Sequence, residues 1–136
     1  MSYEKQITYI QPQSLPKPFG YSHVVEAAGG RTIYVSGQVP LDKDGQLVGE
    51  GDMAAQTRQV FENIKAALES AEASFEDVVK LTFFVTDITQ MASVRGIRDA
   101  YVNTERPPAS SAVEVRKLIR DEFLIEVEAI AVANAR

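Results

Sequence analysis

The chain contains no cysteine and no tryptophan, and only one histidine, His23, among 136 residues. Without cysteine there is no disulfide, no thiol nucleophile and no thiolate metal site. One histidine cannot make a histidine-based metal cluster. Long apolar runs are also missing. No stretch approaches the ~18 residues that a membrane helix needs, so a membrane partner is not expected. The opening MSYEKQITYI has neither a basic n-region nor an apolar h-region. It does not read as a secretory signal, and a cytoplasmic location is the expectation. Basic runs are just as scarce. Lys and Arg number 14 against 19 Asp and Glu, a formal net charge of −5. The densest basic stretch, Arg116 to Arg120, is closed by Asp121 and Glu122. A general grip on nucleic acid needs clustered cations against phosphates, so nucleic acid is not an expected partner either.

What is present is ordinary for a packed protein: 45% hydrophobic and 24% charged residues. The length is close to the ~100–150 residues typical of one domain, and residues 1–136 are expected to form one. A domain of this size can gain useful burial from an oligomer interface. A first strand is expected at Gln6–Ile10, followed by the Pro-rich loop QPQSLPKP, where proline fixes φ and removes a donor. Two strands are then expected over Ser22–Ala28 and Arg31–Ser36, joined as a hairpin by Gly29-Gly30. From Asp52, a candidate N-cap, the period changes. Val60, Ile64, Ala67, Leu68 and Ala71 recur as one helix face, with the end near Ala73 and a short turn capped by Ser74 and Asp77. VVKLTFFV, residues 78–85, reads as a buried strand. A second helix is expected from Ala92 or Ser93 to Asn103, with Val94, Ile97 and Tyr101 on one face. Strands over Ser110–Val115 and Phe123–Ala133 follow.

This order is an α+β pattern, one mixed β-sheet with two helices packed on one face. Alternation in the last strand puts Phe123, Ile125, Val127, Ala129 and Ala131 under the helices. Leu124, Glu126, Glu128, Ile130 and Val132 share the other face. Two carboxylates between apolar residues make an unusual face for simple burial, and that face also needs cover.

SGQVP (36–40), QTRQVFENIKAALESA (56–71), VVKLTFFVTDI (78–88), PPASSAVEV (107–115) and LIEVEAIAVA (124–133) resemble the RidA/YjgF family in order and spacing. The likeness runs from Tyr21 to Ala133. It implies the chorismate-mutase-like α+β fold and a homotrimer whose sheets face inward, with a ligand cleft at each subunit boundary. It also implies hydrolysis of 2-imino acids and their enamine tautomers to 2-keto acids and ammonia, without a cofactor. That chemistry needs a held water, proton shuttling and an anchor for the substrate carboxylate.

The resemblance carries over residue by residue. Tyr21, in FGYSHVV, matches the family's cleft tyrosine; read alone it is a loop aromatic at a subunit contact. Ser36 matches the cleft serine of the SGQ block, though by itself it is only a strand end. Glu126 matches the glutamate that positions and activates water. Its apolar neighbours imply partial burial and a raised pKa. Glu128 is expected to be structural, paired with an Arg or a backbone donor at the trimer interface. The sequence then departs from the family. Ser110 stands where the family has its carboxylate-binding arginine, and Ala112 where it has a cysteine that contributes mainly through its backbone. A charge-assisted hydrogen bond is worth ~1.5–3 kcal/mol and a neutral one ~0.5–1.5, so small 2-imino acids are expected to be poor substrates. Arg95 occupies the position of a cleft asparagine. Either its guanidinium enters the cleft or it pairs with Asp99, one helical turn on. Arg106 and Arg116 are further candidates for that charge.

Three functions compete. The first is a cofactor-independent deaminase or hydrolase of an imine- or enamine-type metabolite, with an altered substrate. The second is a trimer that binds a small molecule without chemistry. The third is a ribonuclease, which the acidic balance and single histidine disfavour.

Overall fold

The structure is a computed structural model that describes residues 4–136. Strands β1 (Gln6–Ile10) and β2 (Val24–Ala28) pair antiparallel as a two-stranded sheet. Four more strands form a mixed sheet: β3 (Arg31–Gln38), β4 (Val78–Val85), β5 (Ala109–Glu114) and β6 (Ile125–Ala133). Their spatial order is β3-β6-β4-β5; β6 runs antiparallel to both neighbours and β5 runs parallel to β4. Helices α1 (Met53–Ser70) and α2 (Met91–Arg98) complete the α+β architecture expected from the sequence.

Local chemistry explains most boundaries. The Asp52 carboxylate accepts from the Ala55 amide and so caps α1. Ser74 and Asp77 form a reciprocal capping box around the short 3-10 turn Phe75–Asp77. Helix α2 begins at Met91, just after a 3-10 turn over Ile88–Gln90 that Asp87 caps through the Thr89 amide. It ends at Arg98 rather than Asn103. Beyond it, the amides of Ala100 and Tyr101 bond three residues back, so the chain tightens into turns.

The glycine pair does not make the expected hairpin. Both residues have positive φ, +71° at Gly29 and +73° at Gly30, yet β2 pairs with β1 and β3 with β6. Close approach explains the two glycines. A Cβ on Gly29 would lie 2.6 Å from the Glu4 carbonyl oxygen, and one on Gly30 2.3 Å from that of Ala133. They pass the chain from one sheet to the other between two backbones, so the strands divide into two sheets. Ser22 likewise stands outside β2 and bridges to Ala109 instead.

The core lies between the helices and one face of the larger sheet. Val60, Phe61, Ile64 and Leu68 of α1 and Val94 of α2 meet Leu81, Phe83 and Val85 of β4. Ile125, Val127, Ala129 and Ala131 of β6 complete it, as alternation along that strand predicts. One buried polar side chain ties this core to the far face. Gln56 donates to the carbonyls of Gly49 and Glu122, and accepts from the Leu124 amide at 2.8 Å. It fixes the backbone just ahead of Glu126.

Candidate functional site

The sequence-predicted residues separate into two groups. Ser110 and Ala112 lie in register with Leu81 and Phe83, whose side chains are buried toward the helices. With Tyr21 and Arg95 they line a pocket of about 210 Å³ beside β5, an edge strand, with Phe83 and Met91 as apolar lining. Glu126 lies in register with Phe84 and Glu128 with Thr82, on the opposite face of the sheet. Ser36 opens onto that second face with Tyr34, Lys80, Thr82, Glu128 and Ile130. Residues on opposite faces of one sheet cannot enclose the same ligand.

On the helix side, Tyr21 reaches Ser110 because its loop is tied to the start of β5. The Ser22 amide donates to the Pro108 carbonyl, and its hydroxyl donates to that of Pro107 at 2.6 Å. His23 packs edge-on against the Tyr21 ring, with centroids 5.3 Å apart, and its Nε2 contacts the Pro16 carbonyl at 2.6 Å. The lone histidine therefore steadies the aromatic wall.

The cation of this pocket that sequence reasoning missed is Arg98. Asp99, the expected partner of Arg95, is taken by Arg98, whose Nε and Nη2 both donate to Oδ1 at 3.0 and 2.8 Å. Arg95 is exposed and lines the pocket. A signal for Arg98 existed in the sequence: Met91, Val94 and Arg98 fall at helical spacing on one stripe, and all three are buried. Arg106 lies over the Tyr9 ring, 5.1 Å from its centroid, and does not line the pocket. Arg116 is exposed and does not line it either.

On the open side, Glu126 stands over a break in β3 pairing between Val35 and Gln38. A Cβ on Gly37 would lie 2.0 Å from Glu126 Oε2, so the absence of a side chain there makes room for the carboxylate. Glu126 accepts no hydrogen bond from the described residues. Desolvation, and secondarily the charge of Glu128, raise its pKa above the ordinary 4.5. Glu128 has no ion-pair partner among the described residues, and Lys80 donates instead to the Ser111 hydroxyl at 3.1 Å. Among these residues no group of three or more His, Asp or Glu is placed to hold a metal, and no helix is long and apolar enough to cross a membrane.

A mixed sheet with two helices on one face, a walled cationic pocket on that side and a carboxylate on the other defines the class as an α+β protein. Residues 13–133 match the family described as Endoribonuclease L-PSP. A RutC family protein of Pyrococcus horikoshii is 45% identical over 124 residues, which cover 90% of this chain and 94% of that one. The 2-iminobutanoate/2-iminopropanoate deaminase of Salmonella typhimurium is 42% identical, over 76% of this chain and 80% of its own. Among solved structures, a conserved Rid family protein from Yersinia pestis superposes with a TM-score of 0.82 at 36% identity, covering 93% and 98% of the two chains. The chain belongs to the RidA/YjgF family.

Proposed function

We propose that the protein is a cofactor-independent deaminase-type hydrolase of an imine- or enamine-type metabolite, acting as a homotrimer. The observation that carries this reading is the division of the site. The pocket of Tyr21, Ser110, Ala112 and Arg95 and the carboxylate of Glu126 face opposite sides of one sheet. They complete one another only when the pocket of one subunit meets the open face of the next. A closed, symmetric ring meets that requirement, and it covers a face that leaves Tyr34 77% exposed.

In this reading Glu126 removes a proton from water as the oxygen bonds to the imine carbon. The C=N π electrons pass to nitrogen, which takes up the proton held by Glu126. Glu126 then takes the hydroxyl proton of the resulting carbinolamine as the C=O bond forms and passes it to the nitrogen, which leaves as ammonia. One water is consumed, and one carbonyl compound and one ammonia are released. The raised pKa of Glu126 suits a group that must both take and give a proton near neutrality. Tyr21 and Ser36 shape the cleft.

Ser110 and Ala112 favour a second reading, a trimer that holds a small molecule without turnover. Ribonuclease remains the least supported, because the chain is acidic and its one histidine is engaged with Pro16 and Tyr21. A coupled 2-imino acid hydrolysis assay on wild type and Ser110→Arg tests the enzyme reading. Weak wild-type turnover that rises in the variant and vanishes in Glu126→Ala supports it. Turnover that survives Glu126→Ala contradicts the role of that carboxylate.

A further inference from the structure

We propose that Arg98 supplies the charge that anchors the ligand, holding a small organic carboxylate between its guanidinium and the Ser110 hydroxyl. The proposal rests on reading the helix-side pocket as one half of the substrate site.

The Arg98 side chain is 7% exposed, whereas Asp99, its one ion-pair partner among the described residues, is 47% exposed. Asp99 engages Nε and Nη2 through a single oxygen, and Nη1 has no partner among the described residues. Among the described residues no buried side-chain nitrogen or oxygen lacks a partner, so Nη1 keeps contact with solvent and is an edge that a ligand can reach. The loop beside it is shaped around it. Gly20 has φ +78°, and a Cβ there would lie 2.7 Å from Arg98 Nη2.

The pocket lining contains Arg95 and Arg98 and no carboxylate, in a chain whose net charge is −5. Ser110, on the strand wall of the same pocket, has a hydroxyl with no hydrogen bond among the described residues. A cation at the C-terminus of α2 would favour the helix dipole wherever it pointed. That benefit accounts neither for burial beneath the Gly20 loop nor for the free edge. A planar guanidinium and a hydroxyl suit the planar carboxylate, which accepts through two oxygens.

The test uses the intact chain in its solution assembly, with 2-oxobutanoate as probe and 2-butanone, which lacks the carboxylate, as control. Binding is read from amide NMR shifts. Wild type is expected to bind 2-oxobutanoate in preference to 2-butanone. Arg98→Met should weaken 2-oxobutanoate by about tenfold or more, the loss of one charge-assisted bond, and leave 2-butanone unchanged. Arg98→Lys should recover part of the loss.

Equal affinity of wild type and Arg98→Met for 2-oxobutanoate overturns the proposal, as does wild type showing no preference for the anion. If Arg98→Met fails to fold, Gly20→Ala decides. It keeps the guanidinium but crowds Nη2, so weaker anion binding supports the proposal and unchanged binding overturns it. Turnover separates this proposal from the enzyme reading. Arg98-dependent anion binding without any imine hydrolysis leaves the anchor standing and removes the enzyme. Imine hydrolysis with the same KM in Arg98→Met does the reverse.

Discussion

On the helix face of the sheet the candidate groups are cations set in a walled pocket, whereas on the open face they are carboxylates standing over a broken strand pairing. The pocket is held by side chains and loops: Ser22 tied to Pro107 and Pro108, His23 against Tyr21, and Asp99 against Arg98. The open face is held by backbone. Glu126 sits where Gly37 leaves space and where Gln56 fixes the chain just upstream. Exchange of one side chain, such as Ser110, can therefore alter the pocket without disturbing the sheet. The carboxylate side is bound to the register of β3 and β6 and has little freedom to drift. In the proposed enzyme, substrate preference and reaction type belong to different parts of the fold.

That contrast can be broken or sharpened by substitution, and the largest effect belongs to the open face. Glu126→Gln should lower turnover by about 100- to 10,000-fold, the usual share of a general acid–base group, measured as kcat in the coupled assay. Its effect on stability should be small and of the opposite sign. Because the folded pKa of Glu126 is raised, the charged form costs stability as pH rises from 4.5 through the folded pKa. The glutamine variant should therefore equal or exceed wild type at neutral pH, and the advantage should disappear below pH 4.5, where the unfolded chain is protonated as well.

Gln56→Leu tests the backbone tie. It strips partners from two carbonyls and one amide, and should cost about 2–4 kcal/mol in denaturant unfolding. Gly37→Ala should be milder for the fold but displace the carboxylate, lowering turnover roughly ten- to a hundredfold. The smallest effect is a shift in pH. Glu128→Gln removes the like charge, so the acid limb of the rate profile should move to lower pH. It should remain above the ordinary carboxylate value, because desolvation, the larger cause, persists. A limb that does not move would show that Glu126 is not the titrating group.

Much of this arrangement was legible in the sequence. Period-two alternation in residues 123–133 placed Glu126 and Glu128 opposite the core, and three-to-four spacing located α1. Asp52, Ser74 and Asp77 were readable as caps because capping depends on local chemistry. The Gly29-Gly30 hairpin was not, because turn chemistry specifies a reversal of the chain and leaves the partner strand to long-range packing. Arg98 escaped notice for another reason. The residue type argues for solvent, while its place on the Met91–Val94 stripe argues for burial, and only the Gly20 loop decides between them. The separation of Ser110 from Glu126 follows from register on β4, where Ser110 pairs with Leu81 and Glu126 with Phe84 on the opposite face, and motif spacing does not reveal register.

In the proposed homotrimer a complete site needs the pocket of one subunit and the carboxylate of another. Mixing two inactive variants, Glu126→Gln and Tyr21→Ala/Arg98→Met, under conditions that exchange subunits tests it most directly. Random assembly in equal amounts should restore about a quarter of the wild-type activity, since that fraction of boundaries joins two intact halves. A mixture that exchanges subunits and stays inactive would place both halves of the site within one chain and contradict the account.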